Sequence, residues 1–287
     1  MKRARMMLVT SMVIFGTIGL FKKAIPITSG ELALYRAILA LVLLGGVMLV
    51  TRQRIPLRSL GKQLPLLLLS GAAMGVNWIL LFESFNYSVA LGTLSYYFAP
   101  VIVTAACPML FKEKLTARQI VCFIVSTLGL AIITCASGMG EGTSYLLAVL
   151  FGLGAAVFYA SVILLNKFIT NVVGLHRTIL QFVSAVVTLI PYVALTSGVT
   201  LGGMNALGWV CLLIVGFIHT GLAYVLYFPS IKELPGQKAA ILSYIDPLVA
   251  VLISILILRE PMNALQLLGG AMILGATLWN ELSPKKG

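Results

Sequence analysis

Residues 97–119 read YFAPVIVTAACPMLFKEKLTARQ, and residues 244–266 read YIDPLVAVLISILILREPMNALQ. Laid over one another without a gap, they match Tyr97 to Tyr244, Pro100 to Pro247, Lys112 to Arg259, Glu113 to Glu260 and Gln119 to Gln266. A proline that interrupts an apolar run, followed by a basic–Glu pair, therefore occurs once in each half of the chain. Outward from this stretch, Arg36 in Tyr35-Arg36-Ala37-Ile38-Leu39 matches Arg177 in His176-Arg177-Thr178-Ile179-Leu180, each opening the second helix of its half. The reading is a duplication, residues 1–141 and 142–287, with the same helix interrupted in both copies. Such a pattern is the best sequence pointer to the binding site of a secondary transporter.

That reading requires a membrane protein, and the composition supplies one. The chain is 60% hydrophobic and 10% charged, with a mean hydropathy of +1.06; soluble domains carry about 25% charged residues. Apolar runs long enough to cross about 30 Å of hydrocarbon fall at about 5–22, 33–51, 64–84, 90–111, 117–137, 145–167, 177–198, 207–228, 237–257 and 262–281. The connections are short, so no soluble domain or nucleotide-binding cassette fits, and a single all-α membrane domain of ten transmembrane helices is expected. The opening Met1-Lys2-Arg3-Ala4-Arg5 resembles a secretory signal, but no small-residue cleavage site follows, so the first helix is expected to be retained.

The net charge of +12 is a topology signal and not a nucleic-acid footprint. Of the twenty Lys and Arg, only Lys22, Lys23, Arg36 and Arg259 fall at outer helix ends once the N-terminus is placed in the cytoplasm. The positive-inside rule then puts both termini inside. Five helices per half make the two halves cross in opposite senses, an inverted repeat. Cys107, Cys122, Cys135 and Cys211 lie inside spans without paired spacing and read as small core residues.

Polar groups at mid-membrane are costly and usually face the bundle interior. Counting along each run at about 1.5 Å per residue brings Asn77, Trp78, Ser95, Tyr96, Tyr97, His219, Thr220, Tyr224, Ser243, Tyr244 and Asp246 to similar depth. Ser70, Met74, Asn77, Leu81 and Ser84 form one stripe, Thr93, Tyr97, Pro100 and Thr104 another, and Tyr159 shares a face with Asn166. Pro100 and Pro247 lack amide hydrogens, which frees the carbonyls of Tyr96 and Ser243. The substrate-binding set read here is Asn77, Trp78, Tyr96, Tyr97, Tyr159, Tyr224, Ser243 and Tyr244, whose aromatic faces suit an amine or a ring. Asp246 is the favoured proton-coupling carboxylate and His219 the second; each has a rival reading as a hydrogen-bonded, silent interior residue. Glu83 reads as a gate or surface residue, and Glu113 and Glu260 as structural acids held by the helix that follows each.

The stretches Phe111-Lys112-Glu113-Lys114-Leu115-Thr116 to Gln119, and Leu258-Arg259-Glu260-Pro261-Met262 to Gln266-Leu267-Leu268-Gly269-Gly270-Ala271, each preceded by its proline, resemble the repeat of EamA-type carriers of the drug/metabolite transporter superfamily. Arg36 and Arg177 fit that pattern as structural positions, so the resemblance runs through the whole chain. It implies ten helices in two inverted repeats around a central cavity, with helices 5 and 10 peripheral. The implied activity is export of amino acids, amines or other small metabolites.

The expected function is a secondary carrier of the inner (plasma) membrane for amino-acid-like or amine compounds, working by alternating access. It would be an exporter, proton-coupled through Asp246, and a monomer or homodimer in contact with membrane lipid. Uptake of a quaternary amine in the aromatic box is the alternative. A lipid-linked-sugar flippase ranks lower, because no internal Lys or Arg is offered for a headgroup. An enzyme would need a clustered nucleophile and base, and neither a cofactor nor a metal site is expected.

Overall fold

Hydrocarbon offers no partner to a backbone amide, so a chain this apolar must satisfy its peptide groups within each segment. The computed structural model describes residues 2–53, 61–112, 115–138, 143–172, 174–234 and 236–282, and every regular element among them is helical. Glu113 lies outside the described residues. In chain order the α-helices are α1 (Lys2–Lys23), α2 (Ser29–Val50), α3 (Leu64–Tyr87), α4 (Val89–Tyr96), α5 (Ala99–Phe111), α6 (Ala117–Gly138) and α7 (Thr143–Phe168). They continue with α8 (Gly174–Thr196), α9 (Ala206–Leu213), α10 (Ala223–Glu233), α11 (Gly236–Ser243), α12 (Ile245–Leu256) and α13 (Ala264–Glu281). A π-helical segment, Ile214–Leu222, joins α9 to α10 without a break. Among the described residues, eight stretches are long and apolar enough to cross a membrane, α4–α5 and α9–α10 each counting as one; Ile241–Leu256 and Ala264–Asn280 are shorter apolar helices.

The sequence repeat reappears as a repeat of backbone geometry. Tyr97, between α4 and α5, has φ −70°, ψ 4°, and Tyr244, between α11 and α12, has φ −73°, ψ −7°. Both helices therefore break one turn before the proline, where the missing amide weakens the ladder, and tight bonds of the i→i−3 kind bridge the gap: Phe98 N to Ser95 O at 3.1 Å and Tyr244 N to Ile241 O at 3.2 Å. Lys112 (φ 55°) and Arg259 (φ 54°) both adopt the left-handed conformation after their helices end. Each copy then restarts through a capping box. Gln119 N bonds Thr116 Oγ1 while Thr116 N bonds Gln119 Oε1, and Gln266 N bonds Asn263 Oδ1 while Asn263 N bonds Gln266 Oε1. The glutamine shared by both copies is thus the third helical residue, reaching back to the cap.

Packing follows the small residues. α1 lies against α10 and α12, α3 against α7 and α8, and α6 pairs with α13 at the edge of the bundle. A Cβ on Gly16 would sit 2.6 Å from the Asp246 carbonyl oxygen, so glycine is what lets α1 approach the α11–α12 break. Gly129 and Gly269 face each other in the same way across α6 and α13. Leu32, Phe82, Phe182 and Leu189 anchor the largest apolar core, between α2, α3 and α8. Of the cysteines read as core residues, Cys107, Cys122 and Cys211 are buried but Cys135 is exposed, on the face of α6 that turns away from the bundle.

Candidate functional site

The two helix breaks meet across a central cavity of about 390 Å³, within the range of roughly 300–1,000 Å³ usual for small-molecule sites. Tyr97, from the first break, donates its hydroxyl to Asp246 Oδ2, beside the second, at 2.7 Å. The Tyr97 and Tyr244 rings lie 6.3 Å apart between centroids, and Tyr96 stacks on Tyr159 at 5.1 Å. Tyr224 of α10 packs edge-on to Phe15 of α1 at 5.4 Å and to Phe182 of α8 at 5.7 Å. The walls are aromatic, and the polar groups are phenol hydroxyls, the hydroxyls of Thr93 and Ser243, one carboxylate and one guanidinium.

Of the residues expected to bind substrate, Trp78, Tyr96, Tyr97, Tyr159, Tyr224, Ser243 and Tyr244 line this cavity, together with Asp246 and Pro100. Ser243 turns its hydroxyl back onto Ala239 O, the bond of a helical serine and not of a ligand donor. Three expected residues are placed elsewhere. Asn77 is buried and donates to Ala155 O at 2.6 Å, tying α3 to α7. His219 is buried outside the lining; its Nε2 bonds Thr17 Oγ1 at 2.7 Å, its Nδ1 lies 3.3 Å from Ile214 O, and its ring packs on Phe21. Pro247 is buried behind the break it causes. Outside the lining, Ser70, Asn166 and Gln181 form a hydrogen-bonded cluster joining α3, α7 and α8.

Arg36 overturns two expectations. The sequence places it among outer-end cations and offers no internal Lys or Arg, yet it is 4% exposed and lines the cavity. Its Nε donates to Thr220 Oγ1 at 3.1 Å, and its guanidinium carbon lies 4.5 Å from the centroid of the Trp78 ring. The absence of an interior cation thus no longer argues against a headgroup site. The signal that locates Arg36 is in the sequence. Thr28-Ser29-Gly30-Glu31 forms a capping box that starts α2 at Ser29, earlier than the run at about 33 suggests, and this carries Arg36 about two turns inward. Its repeat partner Arg177 has a different task, reaching Asn166 O and Ile169 O at the C-terminal end of α7. Phe15, Tyr227 and the glycines Gly16 and Gly19 also line the cavity, and no polar or repeat signal marked them.

Glu260 also differs from its reading. Its carboxylate does not serve the helix that follows. It accepts from Val89 N and Ala90 N at the N-terminus of α4, from Ser88 Oγ and Ser254 Oγ, and pairs with Lys23 at 3.4 Å. The dipole argument holds, but for a helix of the other half. Nearby, Glu83 accepts from Ser29 Oγ at 2.7 Å and from Asn86, while Asn86 also takes a bond from Lys22. These contacts tie together α1, α2, α3, α4 and the α12–α13 connection.

A bundle of apolar helices around a central cavity, with two interrupted helices meeting in it, is the architecture of a membrane transporter. The chain belongs to the EamA-like transporter family, whose model matches residues 2–135 and 146–281. It is 33% identical over 273 residues to the uncharacterized transporter YxxF of Bacillus subtilis (strain 168), a match covering 93% of this chain and 85% of that protein. The uncharacterized transporter YojE of the same organism is 26% identical over 211 residues, covering 72% of this chain and 68% of its own. A crystal structure at 14% identity superposes with a TM-score of 0.65 over 96% of this chain and 95% of that one, a likeness of fold alone. The protein is a multi-span membrane transporter and not an enzyme.

Proposed function

We propose that this protein is a secondary carrier of the plasma membrane that moves amino-acid-like or amine metabolites by alternating access, in the direction of export. Ten membrane helices form two inverted five-helix repeats with both termini in the cytoplasm, α4–α5 and α11–α12 being the interrupted helix of each repeat. The observation that carries the reading is the Tyr97–Asp246 hydrogen bond across the cavity, since it joins the two breaks in the wall that a bound solute would touch. Asp246 is the coupling carboxylate: a group that takes up and releases a proton while the helix breaks move against each other links proton flow to the cycle. His219, second in line, is already engaged by Thr17, so the mechanism rests on Asp246.

Under this topology the Glu260, Lys23 and Glu83 contacts lie at the outer face and hold that side shut. Binding of substrate beside Tyr97 and Asp246 and transfer of a proton loosen the junction between the breaks, and the two halves exchange which side is open.

The test is a thermal-shift screen of the detergent-purified protein against amino acids, amines, choline-like cations and sugars. A ligand held far above its Kd stabilises by a few kcal/mol, about 2.7 kcal/mol at a hundredfold excess. A stabilising amino acid or amine whose effect vanishes in Tyr97→Ala and Tyr244→Ala supports the reading. Stabilisation by lipid-linked compounds alone overturns it in favour of a flippase.

A further inference from the structure

We infer that Arg36 is an anion subsite and that the transported compound carries a carboxylate seated on its guanidinium; this rests on the central-cavity carrier reading and deepens it. Arg36 is charged, 4% exposed and deep in α2, yet no carboxylate among the described residues comes within ion-pair distance of it. A cation taken out of water and out of reach of a counterion is costly, and such residues are kept where a ligand supplies the partner.

Every other contact orients the group and leaves its fork free. The Thr220 hydroxyl gives its hydrogen to Val215 O, a bond allowed by the π-helical winding of Ile214–Leu222, so its lone pairs face the Nε of Arg36. Such π-helical windings are rare and recur at functional sites. Trp78 lies against the guanidinium at 4.5 Å, and Phe82 follows at 5.1 Å. Stacking and the Nε bond occupy the flat face and the inner edge. The two terminal nitrogens, without a protein partner among the described residues, remain for a planar bidentate acceptor at the cavity wall. A carboxylate matches in shape and in charge. One guanidinium balances one negative charge, and Asp246 in the same cavity disfavours a second.

The experiment titrates the detergent-purified protein, with Trp209→Phe and Trp279→Phe leaving Trp78 as the reporter, using L-amino acids, their primary amides and their decarboxylated amines. The expected result is a change in Trp78 fluorescence with one or more acids, the matched amide and amine binding about ten- to a hundredfold more weakly. In Arg36→Gln the acid falls to the level of its amide while the affinity for the amide itself is unchanged. Arg36→Lys, which keeps the charge and loses the fork, recovers part of the preference. Equal binding of acid, amide and amine overturns the subsite and leaves the carrier reading standing. A matching response to chloride or phosphate overturns the assignment of a carboxylate. No response to any member of the panel overturns both. A change in acid and amide affinity together in Arg36→Gln shows a structural arginine and overturns the inference.

Discussion

Tyr97 and Asp246, almost 150 positions apart in the chain, are joined by a 2.7 Å hydrogen bond between the two helix breaks. Each break presents an aromatic residue at the same backbone angles, and only the second carries an acid beside it. The repeat therefore supplies the symmetry of the cavity, and Asp246 breaks it. Under the proposed alternating access, a bond of this kind, formed across the seam between halves, is made and lost in each cycle.

Asp246→Asn is expected to abolish proton-driven accumulation while leaving counterflow exchange measurable in proteoliposomes. Unchanged pH dependence of transport in that variant removes Asp246 from the mechanism. Tyr97→Phe, which loses a hydrogen bond to a charged acceptor worth about 1.5–3 kcal/mol, is expected to lower transport at subsaturating substrate about tenfold without loss of folded protein.

Glu260 accepts from two backbone amides of α4 and from two serine hydroxyls. Glu260→Ala leaves those donors unsatisfied, at a cost of about 1–3 kcal/mol for each buried group. Thermal unfolding in detergent should drop by several degrees, whereas Lys23→Ala, which removes a half-exposed partner, should cost less than about 1 kcal/mol. Equal losses in the two variants would mean that the ion pair, and not the helix cap, carries the contact.

Lys112 and Arg259 each hold a left-handed conformation that glycine adopts without steric cost. Lys112→Gly and Arg259→Gly are expected to be neutral or to stabilise by up to about 1 kcal/mol. Asn263→Ala, which removes the cap of α13, should cost about 0.5–2 kcal/mol. Melting temperatures of the purified variants check both signs.

Gly16 meets the Asp246 carbonyl where α1 crosses the second break. Gly16→Val forces the two apart and is expected to destabilise by about 1–3 kcal/mol, with a larger loss of transport than of stability because the cavity wall moves with it. Transport equal to that of the unchanged protein would show that α1 slides freely over α12.

Much of this molecule is legible in one dimension because hydrocarbon leaves the backbone so little choice. Apolar runs must be helices, and a repeated Tyr–Pro–Arg/Lys–Glu–Gln pattern repeats its breaks, its left-handed turns and its capping boxes, since those depend on neighbours within a few residues; proline alone does not decide a break, for Pro108, Pro191 and Pro229 lie inside continuous helices. Depth counting found most of the aromatic wall for the same reason, as distance along a helix is set by rise per residue. What the sequence could not decide was direction around the helix axis and the identity of partners. Asn77 and His219 sit at the right depth but bond Ala155 O and Thr17 and lie outside the cavity lining. Glu260 caps a helix in the other half, and Arg36 and Arg177, equivalent in the repeat, part company because one meets Trp78 and Thr220 and the other the end of α7. Those outcomes depend on which helices are brought side by side, a matter of packing between segments far apart in the chain, and only the tertiary structure settles it.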